Sequence, residues 1–120
     1  MCNVLVIDDN YTISKIIKLL LAKIGCLAEI AGSGAERIRK FDSKYFDVVI
    51  TDMQMPEMDG NEVAMHIRNS ERHHTPVIGI SGNPHLFERN NFDLLLSKPF
   101  SQEELVGSIT SLVNFAGNAA

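Results

Sequence analysis

The chain has 120 residues, 45% of them apolar and 22% charged: the length of one ordinary domain and the composition of a globular protein that can bury a core without staples. These values exclude a disordered, collagenous or disulfide-scaffold chain. Fifteen acidic against eleven basic residues give a net charge of −4, which argues against the clustered basic surplus of a nucleic-acid binder.

Residues 3–7 (NVLVI) are β-branched and apolar on both faces, and predict a buried parallel strand. After a polar break at 8–12, Ile13, Ile16, Ile17, Leu20, Leu21 and Ile24 recur at helical spacing with lysines on the other face, and Gly25 ends the helix. Residues 27–31 predict a second strand, with Glu29 marking a half-exposed edge. Ser33 and Glu36 have capping-box spacing for a helix through Phe41. A third strand follows at 48–51, and Asp59 and Glu62 repeat the cap spacing for a helix to Arg68. Residues 76–81 (PVIGIS) and 94–97 predict the fourth and fifth strands. The stretch between them must hold a fourth helix and both its connections. Pro84 suits a first helical turn, but Asn90 and Asn91 are poor interior helix formers, so one or two turns are expected. Ser101 and Glu104 cap the last helix, whose apolar face is Leu105, Ile109, Leu112 and Val113. The domain is expected to span 1–117, with 118–120 a frayed tail.

Cys2 and Cys26 are the only thiols, so no disulfide framework or cysteine zinc site is available. They are expected side by side at the amino ends of neighbouring strands, and reduced. No apolar run reaches the roughly 18 residues of a membrane span, because Lys15, Lys18 and Lys23 interrupt the longest. Asp8 and Asp9 fall where a signal peptide would have its apolar stretch. A cytoplasmic protein with no membrane contact is expected.

Strands alternating with helices predict right-handed βαβ crossovers, hence one α/β domain with a parallel sheet covered on both faces. In such sheets ligands bind beyond the carboxyl ends of the strands. Those ends carry Asp8 and Asp9, Thr51 and Asp52, Ser81, and Lys98 followed by Pro99. Singly, each has a plainer reading: a turn, a helix cap, a loop. Together they bring three carboxylates, a hydroxyl and an ammonium to one rim. Two carboxylates about 4 Å apart repel by about 4 kcal/mol at an effective dielectric near 20. Lys98 supplies one positive charge, and the remaining negative surplus suits a hard divalent cation, Mg²⁺, whose waters a phosphoryl group can displace. The pattern points to phosphoryl chemistry.

The stretches VLVIDDN at 4–10, DVVITDMQMPEMDG at 47–60, TPVIGISGN at 75–83 and LSKPF at 96–100 resemble the receiver domains of two-component response regulators. The resemblance covers essentially the whole chain. It implies a flavodoxin-like (βα)5 domain with sheet order 2-1-3-4-5. It makes Asp52 the phosphoacceptor, taking a phosphoryl group from a phosphohistidine. Asp9 and Asp52 would be direct Mg²⁺ ligands, Asp8 would help through water, and the backbone carbonyl of Gln54 would complete the protein ligands. Ser81 would hydrogen-bond the phosphoryl group and move toward it, and Lys98 would pair with its oxygens. The Lys98–Pro99 bond is implied to be cis. The implied partner is a sensor histidine kinase or histidine phosphotransfer protein, docking its helix on the first helix near Ile13, Lys15 and Lys18. Such a domain is no conventional enzyme, catalysing only its own phosphorylation and dephosphorylation. The start at Met1 and the end soon after the last helix favour a stand-alone regulator over the receiver part of a hybrid kinase.

One departure stands out. Leu95 occupies the switch position, where typical receivers carry Tyr or Phe, so a rotating aromatic switch cannot operate in its usual form. With a short fourth helix this suggests a monomer in either phosphorylation state. Three rival readings exist. A haloacid-dehalogenase-type phosphatase shares an Asp nucleophile, a hydroxyl and a Lys, but needs a further acidic pair at a strand end after the lysine, where only Glu103 and Glu104 follow, on a helix. A flavodoxin-like electron carrier needs a hydroxyl-rich phosphate loop where Asp8 and Asp9 would repel phosphate. A metal module of His66, His73, His74 and His85 lacks i, i+4 ligand spacing.

Overall fold

The computed structural model describes residues 2–32, 34–56, 58–83 and 91–113. The short helix expected after Pro84, the Ser33 half of one capping box, His85 and the 118–120 tail lie outside them. Nine elements follow in chain order: β1 (Cys2–Ile7), α1 (Tyr11–Ala22), β2 (Cys26–Ala31), α2 (Gly34–Ser43), β3 (Val48–Asp52), α3 (Gly60–Arg68), β4 (Val77–Ser81), β5 (Leu94–Ser97) and α4 (Gln102–Leu112). The strands pair in parallel throughout, in the order β2-β1-β3-β4-β5.

The three central strands read as apolar on both faces because both faces are covered. Their even-numbered residues (Val4, Val6, Val48, Ile50, Ile78, Ile80) pack with Ile17 and Leu21 of α1 and Leu105 and Ile109 of α4. Their odd-numbered residues (Leu5, Ile7, Val49, Val77) pack with Phe41 of α2 and Val63, Ala64 and Ile67 of α3. The sheet thus separates two helix layers, each with its own core, as the period of two along a strand requires.

Local chemistry sets the element ends. Asn10 caps α1, its side chain accepting the Ile13 N–H at 3.2 Å, so the helix begins two residues before the apolar periodicity does. It stops at Ala22, leaving Ile24 in the turn, and Gly25 takes φ +83°, a left-handed conformation that glycine adopts without strain. Asp59–Glu62 and Ser101–Glu104 both form complete capping boxes. Glu36 accepts the Gly32 N–H at 3.0 Å ahead of α2. On the β2 edge Glu29 is half-buried and pairs with Lys44. Cys2 and Cys26 are register partners, buried and free. At the other edge, Asp93 Oδ2 accepts from the Val77 N–H at 2.7 Å and from Arg68 at 2.8 Å, which seats β5 against β4. Among the described residues no helix is long and apolar enough to cross a membrane.

Candidate functional site

The register Ile7↔Thr51 and Asp52↔Ile80 brings the carboxyl ends of β1, β3 and β4 to one level. Asp8 leaves β1 with its N–H donated to the Ala31 carbonyl at 3.3 Å, and its Oδ1 accepts the Asn10 N–H at 2.9 Å. Asp52 is the last residue of β3. Asp8 and Asp52 are buried, Asp9 is exposed, and one carboxylate oxygen from each lies within 4.8 Å of the others. Lys98 follows β5, and its Nζ stands 3.1 Å from Asp52 Oδ1. Its backbone N–H donates to the Ser81 carbonyl at 2.9 Å, so β4 and β5 together aim the ammonium at the acids. The Lys98–Pro99 bond is cis. Ser81 is buried at the end of β4, its Oγ accepting the Asn83 N–H at 2.9 Å.

Burial pushes the Asp8 carboxyl up to about 6, and the charges of Asp52 and Asp9 push the same way; the Asn10 amide and Lys98 oppose them only in part. One ammonium therefore leaves the cluster short of positive charge. An all-oxygen donor set with surplus negative charge, partly buried, fits a hard divalent cation. Among the described residues the cluster has three carboxylates and no thiolate or imidazole, which disfavours a soft metal.

Gln54 lies in the 53–59 connection, exposed to solvent. That connection is closed at its base: the Met53 N–H donates to the Ile80 carbonyl at 3.0 Å, and the Gly60 N–H to the Met53 carbonyl at 3.0 Å. A Cβ on Gly60 would lie 2.7 Å from the Asp52 carbonyl oxygen, so glycine is what lets α3 start this close to the acceptor strand. Leu95 is half-buried opposite Gly79, two residues back from the rim; the structure does not bring it to the acid cluster. Beside Lys98, Ile13, Ile16 and Leu20 of α1 and Pro99 and Phe100 line an apolar groove of about 460 Å³, with Ile16 exposed.

Two further buried residues stand by the site: Thr51, which the sequence marks only as a strand end, and Arg37, which the reading of the sequence passed over. The Thr51 hydroxyl, fully buried, donates to the Asp52 carbonyl at 3.0 Å. Arg37 is 1% exposed and donates to the carbonyls of Gly32 (2.7 Å), Pro56 (3.2 Å) and Met58 (2.7 Å). A signal for Arg37 was present: counting back four from Phe41 lands on it, so the buried stripe of α2 includes an arginine.

A family model described as the response regulator receiver domain matches residues 4–110. Protein PilG of Pseudomonas aeruginosa is 35% identical over 92% of this chain and 86% of its own length. The transcriptional regulatory protein TrcR of Mycobacterium tuberculosis is 32% identical over 92% of this chain but only 44% of its own length. The chain thus spans most of one relative and less than half of the other. Among solved structures, the response regulator protein TrrA of Thermotoga maritima in complex with Mg²⁺–BeF superposes with a TM-score of 0.87 at 30% identity, covering 94% of this chain and all of that one.

Proposed function

The chain belongs to the response regulator receiver domains, and on that premise we propose that Asp52 is its phosphoacceptor in a Mg²⁺-dependent transfer from a phosphohistidine donor. The observation that carries this is the buried Asp52 carboxylate with Lys98 at 3.1 Å inside the Asp8–Asp9–Asp52 cluster. An Asp52 oxygen attacks phosphorus, the new P–O bond forms as the P–N bond to the donor imidazole breaks, and the leaving nitrogen keeps the electron pair. Lys98 holds the acceptor carboxylate in place and then meets the charge of the transferred group. Ser81 lies on the next strand end, with an O–H to donate to that group. Asp8, Asp9, Asp52 and the Gln54 carbonyl are the groups to hold Mg²⁺, which when bound supplies counter-charge to the phosphoryl oxygens. TrrA, which carries Mg²⁺–BeF, supports this reading.

Receiver domains work with histidine kinases or histidine phosphotransfer proteins. Here the donor's helix is assigned to the apolar groove between α1 and the Pro99–Phe100 turn, beside Lys98, with Lys15 and Lys18 exposed on α1. With Leu95 at the switch position there is no polar ring tip to follow Ser81, so the signal passes through the site loops and α1, from a monomeric, cytoplasmic domain that does not itself bind nucleic acid. The same chemistry serves a complete regulator or the receiver part of a longer one. Family membership displaces the dehalogenase-type phosphatase reading.

The test is labelling with acetyl phosphate or a phosphorylated donor. Asp52→Asn abolishes a base- and hydroxylamine-labile label, as an acyl phosphate requires, and chelation abolishes it in wild type. Undiminished labelling of Asp52→Asn would overturn the assignment.

A further inference from the structure

Arg37 is a buried cation whose hydrogen bonds to the described residues all end on backbone carbonyls. Burying a guanidinium is costly unless its donors are used; here Nη1 and Nη2 join two connections that are distant in sequence, while the buried Nε–H has no hydrogen-bond partner among the described residues. Nη1 holds the Pro56 and Met58 carbonyls near the tip of the 53–59 connection, and Nη2 holds Gly32, the residue after β2. Gly32 follows Ala31, whose carbonyl accepts the Asp8 N–H. The fork therefore ties the β2–α2 turn, which reaches Asp8 only through the Ala31 carbonyl, to the loop that leaves the acceptor.

The base of that loop is closed by Met53 and Gly60, and the Met58 N–H donates to the Pro56 carbonyl at 2.8 Å. These bonds fix the loop's own shape. They do not fix its tilt relative to β1 and Asp8. Arg37 is the described group that spans the gap, and Gln54 sits between the closed base and the clamped tip. A planar fork with fixed donor directions suits this task better than a flexible ammonium.

We propose that Arg37 is a positioning residue for the metal site: by locking the 53–59 connection against the β2–α2 turn, it holds the Gln54 carbonyl ready before the cation arrives. The preorganised loop then has less freedom to lose on binding. This rests on the receiver reading of the acid cluster.

The test compares wild type, Arg37→Met, which keeps much of the volume without the donors, and Arg37→Lys. Mg²⁺ affinity is measured by calorimetric titration, and amide hydrogen exchange is followed on the metal-free proteins. The expected result is a loss of Mg²⁺ affinity of about tenfold in Arg37→Met, the size typical of groups that support metal ligands, with partial recovery in Arg37→Lys. Exchange at Met58 and Gly60 quickens while Val48 and Cys26, at the far end of the sheet, stay protected. Unchanged Mg²⁺ affinity in a folded Arg37→Met, even one of lower stability, would overturn the proposal and leave a purely structural clamp. Should Arg37→Met fail to fold, the decision passes to Arg37→Lys: a severalfold loss supports the proposal and an unchanged affinity overturns it. Wild type that bound no Mg²⁺ would instead sink the reading of the acid cluster, and this proposal with it.

Discussion

Replacing Asp8 by Asn keeps the side chain's shape and the acceptor that holds the Asn10 amide, but removes a carboxyl that burial pushes from 3.8 up to about 6. A rise of roughly two units, at about 1.36 kcal/mol each, makes ionised Asp8 cost the metal-free fold up to about 3 kcal/mol. The folded state holds this proton more tightly than the unfolded chain does. Asp8 therefore contributes its stability in full below about pH 4 and loses it as pH rises through about 6. In chelator at about pH 8, Asp8→Asn is more stable than wild type, and the advantage roughly halves at about pH 5. Added Mg²⁺ stabilises wild type selectively and narrows the gap at pH 8. Urea denaturation at both pH values reads all three effects. Equal stability at pH 8, or an advantage independent of pH, would refute the claim that desolvation of Asp8 strains the empty cluster.

Gly60→Ala places a Cβ 2.7 Å from the Asp52 carbonyl oxygen and 3.0 Å from Met53 Cα; both are backbone, so a loss of about 1–3 kcal/mol is expected on urea denaturation, and wild-type stability would show that α3 can retreat freely. Lys98→Ala removes the ammonium 3.1 Å from Asp52, so Mg²⁺ should bind more tightly by titration while phosphoryl transfer slows; weaker Mg²⁺ binding would contradict the charge balance drawn here. Burial pushes both the Cys2 and the Cys26 thiol up, so neither should react with a thiol reagent in the folded protein at neutral pH, and both should react in urea; a count of none in urea would mean that the pair is oxidised.

The architecture was legible because its signals are local and periodic. Strand composition located all five strands, and Asp59–Glu62 and Ser101–Glu104 located two helix starts through a three-residue spacing. The site followed from the sheet: once the strands are parallel, Asp8, Asp9, Asp52, Ser81 and Lys98 have to share a rim. What stayed hidden depends on approach between segments far apart in the chain. An arginine in a short polar helix reads as solvated, and only the carbonyls of Gly32, Pro56 and Met58 make burial of Arg37 tolerable. Gly60 reads as part of a turn, and its need for glycine appears only when the Asp52 carbonyl lies over it. The start of α1 was missed by two residues because a polar first turn, Tyr11 and Thr12, carries no periodicity; Asn10 alone marks it.

The alternation of the central strands has a consequence for who can listen. Even-numbered residues of β1, β3 and β4 belong to the α1–α4 layer and odd-numbered ones to the α2–α3 layer, so the sheet insulates one helical face from the other. The rim is the place where strands serving both layers come to an end together. An event there tugs on two independent cores at once, and two readers seated on opposite faces of the molecule could receive the same message without ever touching each other.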